Sequence, residues 1–279
     1  QPADQIVFDN SPFFVLLKNG QIERLMLEDF VPPSIDPITS VDSKDIVYSP
    51  QLNLSAGKLP LVVYFHGGGF IFSTAFSHGY HNHLNSLASK AKVIAISVEF
   101  RRAPEDPHSN GLLPMQMGKG NEYWLNSYVD FDKVFLMGDR AEANIAHHMG
   151  MRHGLEKLEG VKIEGMTLFY PYFWGKKPIV GETTDANERA KIEKLWQISR
   201  PNTSGSDDPL INPVVEYSKL PSLGCNRLMV VLPAKDILKH RGRYYADQKF
   251  EESGWKGEAE VYEIKRVDHG FYLANACHY

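Results

Sequence analysis

The stretch LVVYFHGGGF, residues 61–70, decides the fold of this chain. Residues 61–65 form a continuous apolar run, which is typical of a strand buried on both faces of a parallel sheet. Three consecutive glycines, Gly67, Gly68 and Gly69, follow almost at once, and glycine adopts the backbone conformations that a sharp turn requires. The stretch therefore predicts a central strand followed by a tight loop at its carboxyl end.

Similar apolar runs recur along the chain and alternate with helical patterns. Further strands are predicted at residues 93–98, 134–137, 166–170, 228–232 and 261–264. Apolar residues at helical spacing predict helices over 141–153, 187–199 and 240–253, with Gly154 and Gly254 ending the first and last. Strands that alternate with helices indicate an α/β fold with a mostly parallel sheet covered on both faces. We expect a single domain over residues 1–279, in which residues 172–218 form a small cap-like insertion.

The composition excludes several classes of protein. The 279 residues include 43% hydrophobic and 23% charged residues, and the formal net charge is −4, which gives no electrostatic reason to bind nucleic acid or an acidic membrane. No apolar run approaches the roughly 18 residues needed to span a bilayer. Two cysteines are too few for a disulfide framework and are compatible with a reducing compartment. We therefore expect a cytoplasmic protein that binds neither nucleic acid nor a membrane.

The loop after the first strand has a recognisable chemistry. Glycines leave backbone N–H groups unobstructed by a Cβ atom, so these groups can face a cavity and hold a developing oxyanion. His66-Gly67-Gly68-Gly69 directly after a strand matches the oxyanion-hole motif of lipases and esterases. We predict Gly68 and Gly69 as oxyanion donors, whereas the simpler alternative is an ordinary glycine-rich turn.

A second motif, GDRAEAN at residues 138–144, lies between a predicted strand and a predicted helix. This is the position of a nucleophile elbow, a tight turn that needs small residues two before and two after the nucleophile. Gly138 meets the first requirement, but Glu142 does not meet the second. Asp139 precedes the nucleophile position, and Ala141 follows it as the third oxyanion donor. That position holds Arg140, whose guanidinium stays protonated and cannot attack a carbonyl.

Asp236 and His269 each follow a predicted strand and complete the candidate site. Ligands bind at the carboxyl ends of strands in open α/β sheets, and the order elbow, Asp, His is that of the α/β hydrolases. His269 would act as general base and then general acid, while Asp236 would orient its imidazole. Taken alone, Asp236 could instead be a helix N-cap and His269 a surface histidine, but their joint placement after successive strands favours the catalytic roles.

The chain resembles the plant carboxylesterase family, in the hormone-sensitive-lipase-like branch of the α/β hydrolases. The resemblance covers nearly the whole chain and rests on HGGG at 66–69, RRAPE at 101–105, WLN at 124–126, DDPLINP at 207–213, SGWKGE at 253–258 and DH at 268–269. The elbow of this family reads Gly-Asp-Ser-Ala-Gly, so its catalytic serine corresponds to Arg140. The resemblance implies cofactor-free hydrolysis of small carboxylic esters by a Ser-Asp-His triad and an oxyanion hole.

The chain departs from the family in three further places. It lacks a strand before residues 61–65, it has no clear amphipathic period over 106–123, and it stops at Tyr279 before the closing helix of the family. Deleting a strand would expose an unpaired sheet edge.

Several interpretations remain open at this point. We predict a carboxylesterase; the alternatives are an inactive pseudoenzyme that keeps the pocket as a small-molecule binding site, and a cyclase or dehydratase that uses only His269 and the oxyanion hole. The aromatic residues 170–174 either line a pocket or belong to the core. Three histidines, at positions 78, 81 and 83, have metal-ligand spacing but no accompanying carboxylate or cysteine cluster, so we predict no metal site.

Overall fold

The computed structural model describes residues 5–26, 29–43, 57–105, 123–247, 252–267 and 270. Near the N-terminus, β1 (Ile6–Asn10), β2 (Phe14–Leu17) and β3 (Ile22–Arg24) form a small antiparallel sheet. The main sheet consists of β4 (Leu59–Phe65), β5 (Ile94–Val98), β6 (Val129–Asp139), β7 (Ile163–Phe169), β8 (Arg227–Pro233) and β9 (Glu258–Ile264). These strands lie in the order β5-β4-β6-β7-β8-β9, and all are parallel.

Helices separate the strands of the main sheet, as the apolar periodicity predicts. They are α1 (His78–Ala91), α2 (Tyr123–Tyr128), α3 (Ala141–Leu155), α4 (Ala186–Ser199) and α5 (Lys239–Asp247), with a 3₁₀ segment over Pro213–Ser222. The α/β fold with a mostly parallel sheet is therefore confirmed. None of the described helices is long and apolar enough to cross a membrane.

The predicted end of α3 at Gly154 is wrong. The helix continues to Leu155, and Glu156 is the residue at its C-cap. Gly154 lies against the backbone of Ser222, and a Cβ atom at this position would overlap the Ser222 carbonyl oxygen. Close packing of α3 on the 3₁₀ segment, not a helix stop, therefore requires this glycine. The later helix is predicted to end at Gly254, and this position is described: Ser253 and Gly254 are not helical, and Gly254 has φ 78°.

The side of the sheet on which successive strands are added changes at β4. From β4 the chain adds β5 on one side and then crosses to add β6 on the other side. Strands β4 and β6 pair in parallel, with Phe65 opposite Gly138 at their carboxyl ends. The segments that follow these two strands therefore leave the sheet side by side, at the type of switch point where open α/β sheets bind ligands.

The main hydrophobic core lies between this sheet and α3. Phe65, Leu136 and Leu168 are buried on the sheet, and Ile145 and Met149 of α3 belong to the same cluster. This packing fixes the start of α3 directly behind the end of β6. The core therefore determines where the candidate elbow is held.

The missing strand and the missing helix fall mostly on residues 44–56 and 106–122, which lie outside the described residues. Within the described sheet, β5 is an edge strand. All five of its residues are half-buried, although four of them are apolar. This partial exposure is the consequence expected when an apolar parallel strand has no described neighbour on one side.

The segment over residues 172–218 contains α4 and is tied to the main sheet by a buried ion pair. Arg241 of α5 donates from Nε to Glu182 Oε1 at 2.8 Å and from Nη2 to Glu182 Oε2 at 2.7 Å. The side chains of Glu182 and Arg241 are 0% and 5% exposed.

The aromatic residues Tyr170, Tyr172, Phe173 and Trp174 are all buried. Tyr172, Phe173 and Trp174 are part of the main hydrophobic core, so for these three residues the core alternative is confirmed.

We expect Glu182→Gln to lower the free energy of unfolding by about 3 kcal/mol, because it leaves the buried Arg241 guanidinium without its countercharge. Urea denaturation measures this loss. The control is Glu263→Gln, which removes an exposed partner of Arg243 on the same helix and should cost less than about 1 kcal/mol. Equal losses in the two variants would contradict this assignment.

Candidate active site

Two loops meet where β4 and β6 end. The glycine loop, residues 66–70, follows β4, and the elbow, residues 138–142, spans the end of β6 and the start of α3. Gly138 faces the backbone of Glu142, and a Cβ atom at position 138 would collide with the Glu142 carbonyl. A glycine two residues before the turn is therefore a steric requirement of this elbow.

Arg140 is the single residue between β6 and α3. Its backbone has φ 60° and ψ −123°, a strained conformation for a residue with a side chain. Two hydrogen bonds hold this turn: the Arg140 amide donates to the Phe169 carbonyl at 3.0 Å, and the Arg140 carbonyl accepts from the Tyr172 amide at 2.8 Å. The sharp strand-to-helix turn expected of a nucleophile elbow is thus present, with an arginine at its apex.

The Arg140 side chain is largely enclosed, with 17% of its surface exposed. Its Nε atom lies 3.8 Å from Asp139 Oδ2, and the guanidinium carbon lies 5.9 Å from the centre of the Tyr170 ring. A Cβ atom at Gly270 would overlap Arg140 Nη2, so the chain after β9 also contacts this guanidinium. A fixed positive charge therefore occupies the place where a nucleophile would stand.

Asp139 is completely buried beneath the elbow. Its two carboxylate oxygens accept hydrogen bonds from the hydroxyl groups of Tyr64 and Tyr80, each at 3.1 Å. Burial, together with the neighbouring Asp139 carboxylate, raises the pKa of Tyr80, so this tyrosine stays a neutral donor. Asp139 therefore supports the glycine loop and the elbow from below, and its carboxylate also lies against Gly67.

Glu142 is fully buried, and its carboxylate binds the glycine loop. Oε2 accepts the Gly68 amide at 3.0 Å, and Oε1 accepts the Phe70 amide at 2.7 Å. We call the N–H groups of Gly68 and Phe70 the amide pair. One of the three predicted oxyanion donors, Gly68, therefore already donates to a carboxylate of the protein itself.

Opposing effects act on the charge of Glu142. Burial is the largest, and with the nearby Asp139 carboxylate it raises the pKa of Glu142 well above its ordinary value. The hydrogen bond from the Phe70 amide and the positive charge of Arg140 act in the opposite direction but are smaller. The Glu142 carboxyl group therefore holds a proton more tightly in the folded protein than in the unfolded chain.

The remaining residues of the glycine-loop motif are packed in place. His66 is fully buried, and its ring stacks on Phe100 with 4.5 Å between ring centres and 14° between planes. Its Nε2 atom lies 3.5 Å from Glu99 Oε2. Burial alone would raise the pKa of Glu99, but His66 and the Ala75 amide offset this and lower it. His66 therefore has a supporting position behind the loop.

Asp236 lies three residues beyond the end of β8 and is buried. Its Oδ1 atom accepts the Leu238 amide at 2.7 Å, just before α5 begins. This contact agrees with the capping role that the sequence left open. His269 lies outside the described residues, so the pairing of Asp236 with His269 stays a prediction.

The histidines with metal-ligand spacing lie on α1. The Nε2 atoms of His78 and His81 each lie within hydrogen-bonding distance of an asparagine one turn along the helix, Asn82 and Asn85, at 2.9 and 3.0 Å. Across the described ranges, no three or more His, Cys, Asp or Glu side chains gather in an arrangement able to hold a metal ion.

Comparison with known proteins supports the fold and identifies the family of the chain. Residues 62–273 match the family model described as the alpha/beta hydrolase fold. The chain is 46% identical to probable carboxylesterase 1 of Arabidopsis thaliana, over 96% of this chain and 92% of that protein. It is 44% identical to probable carboxylesterase 7 of the same plant, over 97% of this chain and 93% of that protein. The chain belongs to the plant carboxylesterase family.

A solved structure shows the same fold at lower identity. The esterase from the archaeon Pyrobaculum calidifontis superposes with a TM-score of 0.60 at 23% identity, covering 80% of this chain and 72% of that one. Within the carboxylesterase family, the alignment with probable carboxylesterase 1 spans 296 positions, which exceeds the 279 residues of this chain. That relative therefore carries residues with no counterpart here, in agreement with the departures noted in the sequence.

Sequence reasoning missed two features of this carboxylesterase-family site. It treated Glu142 as a residue too large for the elbow or as a partner of Arg140, and missed that its buried carboxylate accepts two amides of the glycine loop. It also missed that Tyr64 and Tyr80 hold Asp139. Nothing in the sequence indicated that β4 and α1 would bring these two hydroxyl groups to the same carboxylate.

We expect Glu142→Gln to become more stable relative to the unmodified protein as the pH rises from 5 to 9. A raised carboxyl pKa contributes stability below the ordinary pKa and loses it as the pH rises through the folded-state pKa. The neutral amide of Gln has no such loss. Urea denaturation at a series of pH values measures the difference between the two proteins.

The control for this measurement is Glu156→Gln, which changes an exposed glutamate paired with Arg152 at the end of the same helix. Its difference from the unmodified protein should stay small across the range. If the Glu142→Gln difference is equally flat, the raised pKa of Glu142 is wrong.

Proposed function

We propose that this chain binds a small acyl compound on a carboxylesterase scaffold and does not hydrolyse it by a serine-type mechanism. The observation that carries the proposal is Arg140 at the apex of the elbow, with φ 60° and ψ −123°. A guanidinium stays protonated near neutral pH and has no nucleophilic lone pair to offer a carbonyl carbon. The backbone of a nucleophile elbow is present, but the nucleophile is not.

Retained parts of the site and the family relationship support a binding role. The glycine loop, the elbow and Asp236 all lie at the carboxyl ends of strands, where this class of sheet binds ligands. Two relatives of the chain are named as probable carboxylesterases, which favours an acyl compound as the ligand. The partly exposed Arg140 side chain favours a ligand that carries a carboxylate.

Ester hydrolysis, the activity that the family relationship implies, is the second candidate. The elbow turn around residue 140 favours it, because the protein keeps this strained backbone although no serine is present. Hydrolysis would nevertheless require a nucleophile other than residue 140. Loss of the whole nucleophile costs a factor of about 10⁶ in a well-studied serine hydrolase, so measurable serine-type turnover is not expected here.

The first experiment tests hydrolysis directly. We expect the unmodified protein to show no turnover of 4-nitrophenyl acetate that an organophosphate abolishes, and intact-mass measurement should show no phosphorylated adduct. Hydrolysis well above the buffer rate that is lost on organophosphate treatment would contradict the proposed function.

The second experiment tests binding through Arg140. We expect phenylacetate to raise the melting temperature of the protein more than the neutral phenylacetamide does, because Arg140 supplies a fixed positive charge. Arg140→Ala should abolish the difference, whereas Arg152→Ala, which removes an exposed cation from α3, should keep it. Equal shifts with both compounds, or a difference that survives Arg140→Ala, would contradict a role for Arg140 in binding.

A further inference from the structure

Glu142 is a buried ionisable group with no role in the serine-type scheme. Its carboxylate accepts both N–H groups of the amide pair, at 3.0 Å from Gly68 and 2.7 Å from Phe70. Both distances are those of well-formed N–H···O hydrogen bonds, and the side chain has no exposed surface. The contact therefore has the properties of an occupied binding site for a carboxylate.

The position of this contact conflicts with the expected use of the loop. An oxyanion hole works when its donors lie about 3 Å from the place that the oxyanion will occupy. The Gly68 amide is one of the expected donors, and Glu142 Oε2 already lies at that distance from it. One N–H group makes one good hydrogen bond, so a substrate oxygen would have to displace Glu142 from Gly68.

The conflict does not depend on Arg140. Glu142 is the second residue of α3 and reaches the glycine loop from the helix, while Arg140 contacts Asp139, Tyr170 and Gly270. The two side chains therefore alter separate parts of the site. Arg140 replaces the nucleophile, and Glu142 occupies Gly68, one of the three predicted oxyanion donors.

We propose that the amide pair is a carboxylate-binding site that Glu142 keeps filled, and that Glu142 alone prevents the glycine loop from stabilising an oxyanion, whatever residue stands at position 140. This proposal deepens the proposed function at the same site and rests on its assignment of the elbow. It assigns a ligand class, a carboxylate group, to the amides of Gly68 and Phe70. It also predicts that a serine at position 140 is not sufficient for ester hydrolysis.

The test compares four proteins: the unmodified chain, Arg140→Ser, Glu142→Gly, and the double variant. With 4-nitrophenyl acetate, we expect organophosphate-sensitive turnover in the double variant. Arg140→Ser alone should be slower by a factor of at least about 10², the typical cost of one lost oxyanion donor. Measurable turnover that is equal in Arg140→Ser and the double variant would overturn the proposal.

A binding measurement tests the same proposal without catalysis. Arg140→Ser and the double variant both lack the Arg140 cation, so they differ only in whether the amide pair is filled. Sodium acetate should raise the melting temperature of the double variant but not of Arg140→Ser, relative to sodium chloride at equal ionic strength. Acetate that leaves the folded double variant unaffected would overturn the proposal, and this result decides the matter if neither variant turns over ester.

Amide hydrogen exchange in the unmodified protein needs no variant and covers the case in which the double variant does not fold. The N–H groups of Gly68 and Phe70 should exchange slowly, because both donate to a buried carboxylate. Rapid exchange at both positions would overturn the proposal. Organophosphate-sensitive hydrolysis by the unmodified chain would instead overturn the proposed function, so the two failures are distinguishable.

Discussion

The parallel pairing of β4 with β6, with Phe65 opposite Gly138, is the constraint on which the candidate site depends. It brings two segments that are about 70 residues apart in sequence side by side at the carboxyl ends of two central strands. A shift of this pairing by one residue would turn every side chain of one strand to the opposite face. The buried residues of both strands therefore fix the distance between the glycine loop and the start of α3. The contact of Glu142 with the amide pair is possible only because of that distance.

Three ionisable residues fall within four positions of the elbow, and each reaches a different kind of partner. Asp139 is held by two tyrosine hydroxyls, Arg140 lies near Asp139 and above Tyr170, and Glu142 is held by two backbone amides. Buried charges are tolerated when hydrogen bonds or opposite charges replace the lost water. These partners explain how three ionisable side chains are accommodated with so little exposure to solvent.

The sequence predicts the fold well because its signals are local and repeated. Each apolar run of the main sheet, from residues 61–65 onward, becomes a strand, and the glycine loop and the elbow lie at the ends of β4 and β6 as expected. The contacts of Glu142 could not be predicted in the same way, because they depend on the side-chain direction at the first turn of α3 and on strand register. The predicted end of α3 is wrong for a related reason. A glycine is typical of a helix end, but Gly154 lies inside the helix, where it allows close packing against Ser222.

Arg140 and Glu142 bind to features that a hydrolytic site uses for a different purpose. An oxyanion hole is a set of amides arranged in advance to hold negative charge on an oxygen, which also makes it a receptor for a carboxylate. A buried aspartate beneath the elbow offers a countercharge to any cation placed above it. Glu142 occupies the amide pair, and Arg140 is the cation that lies near the buried Asp139. A scaffold arranged to stabilise charge in a transition state can therefore also hold ionisable side chains at the same points, through a fixed set of internal contacts.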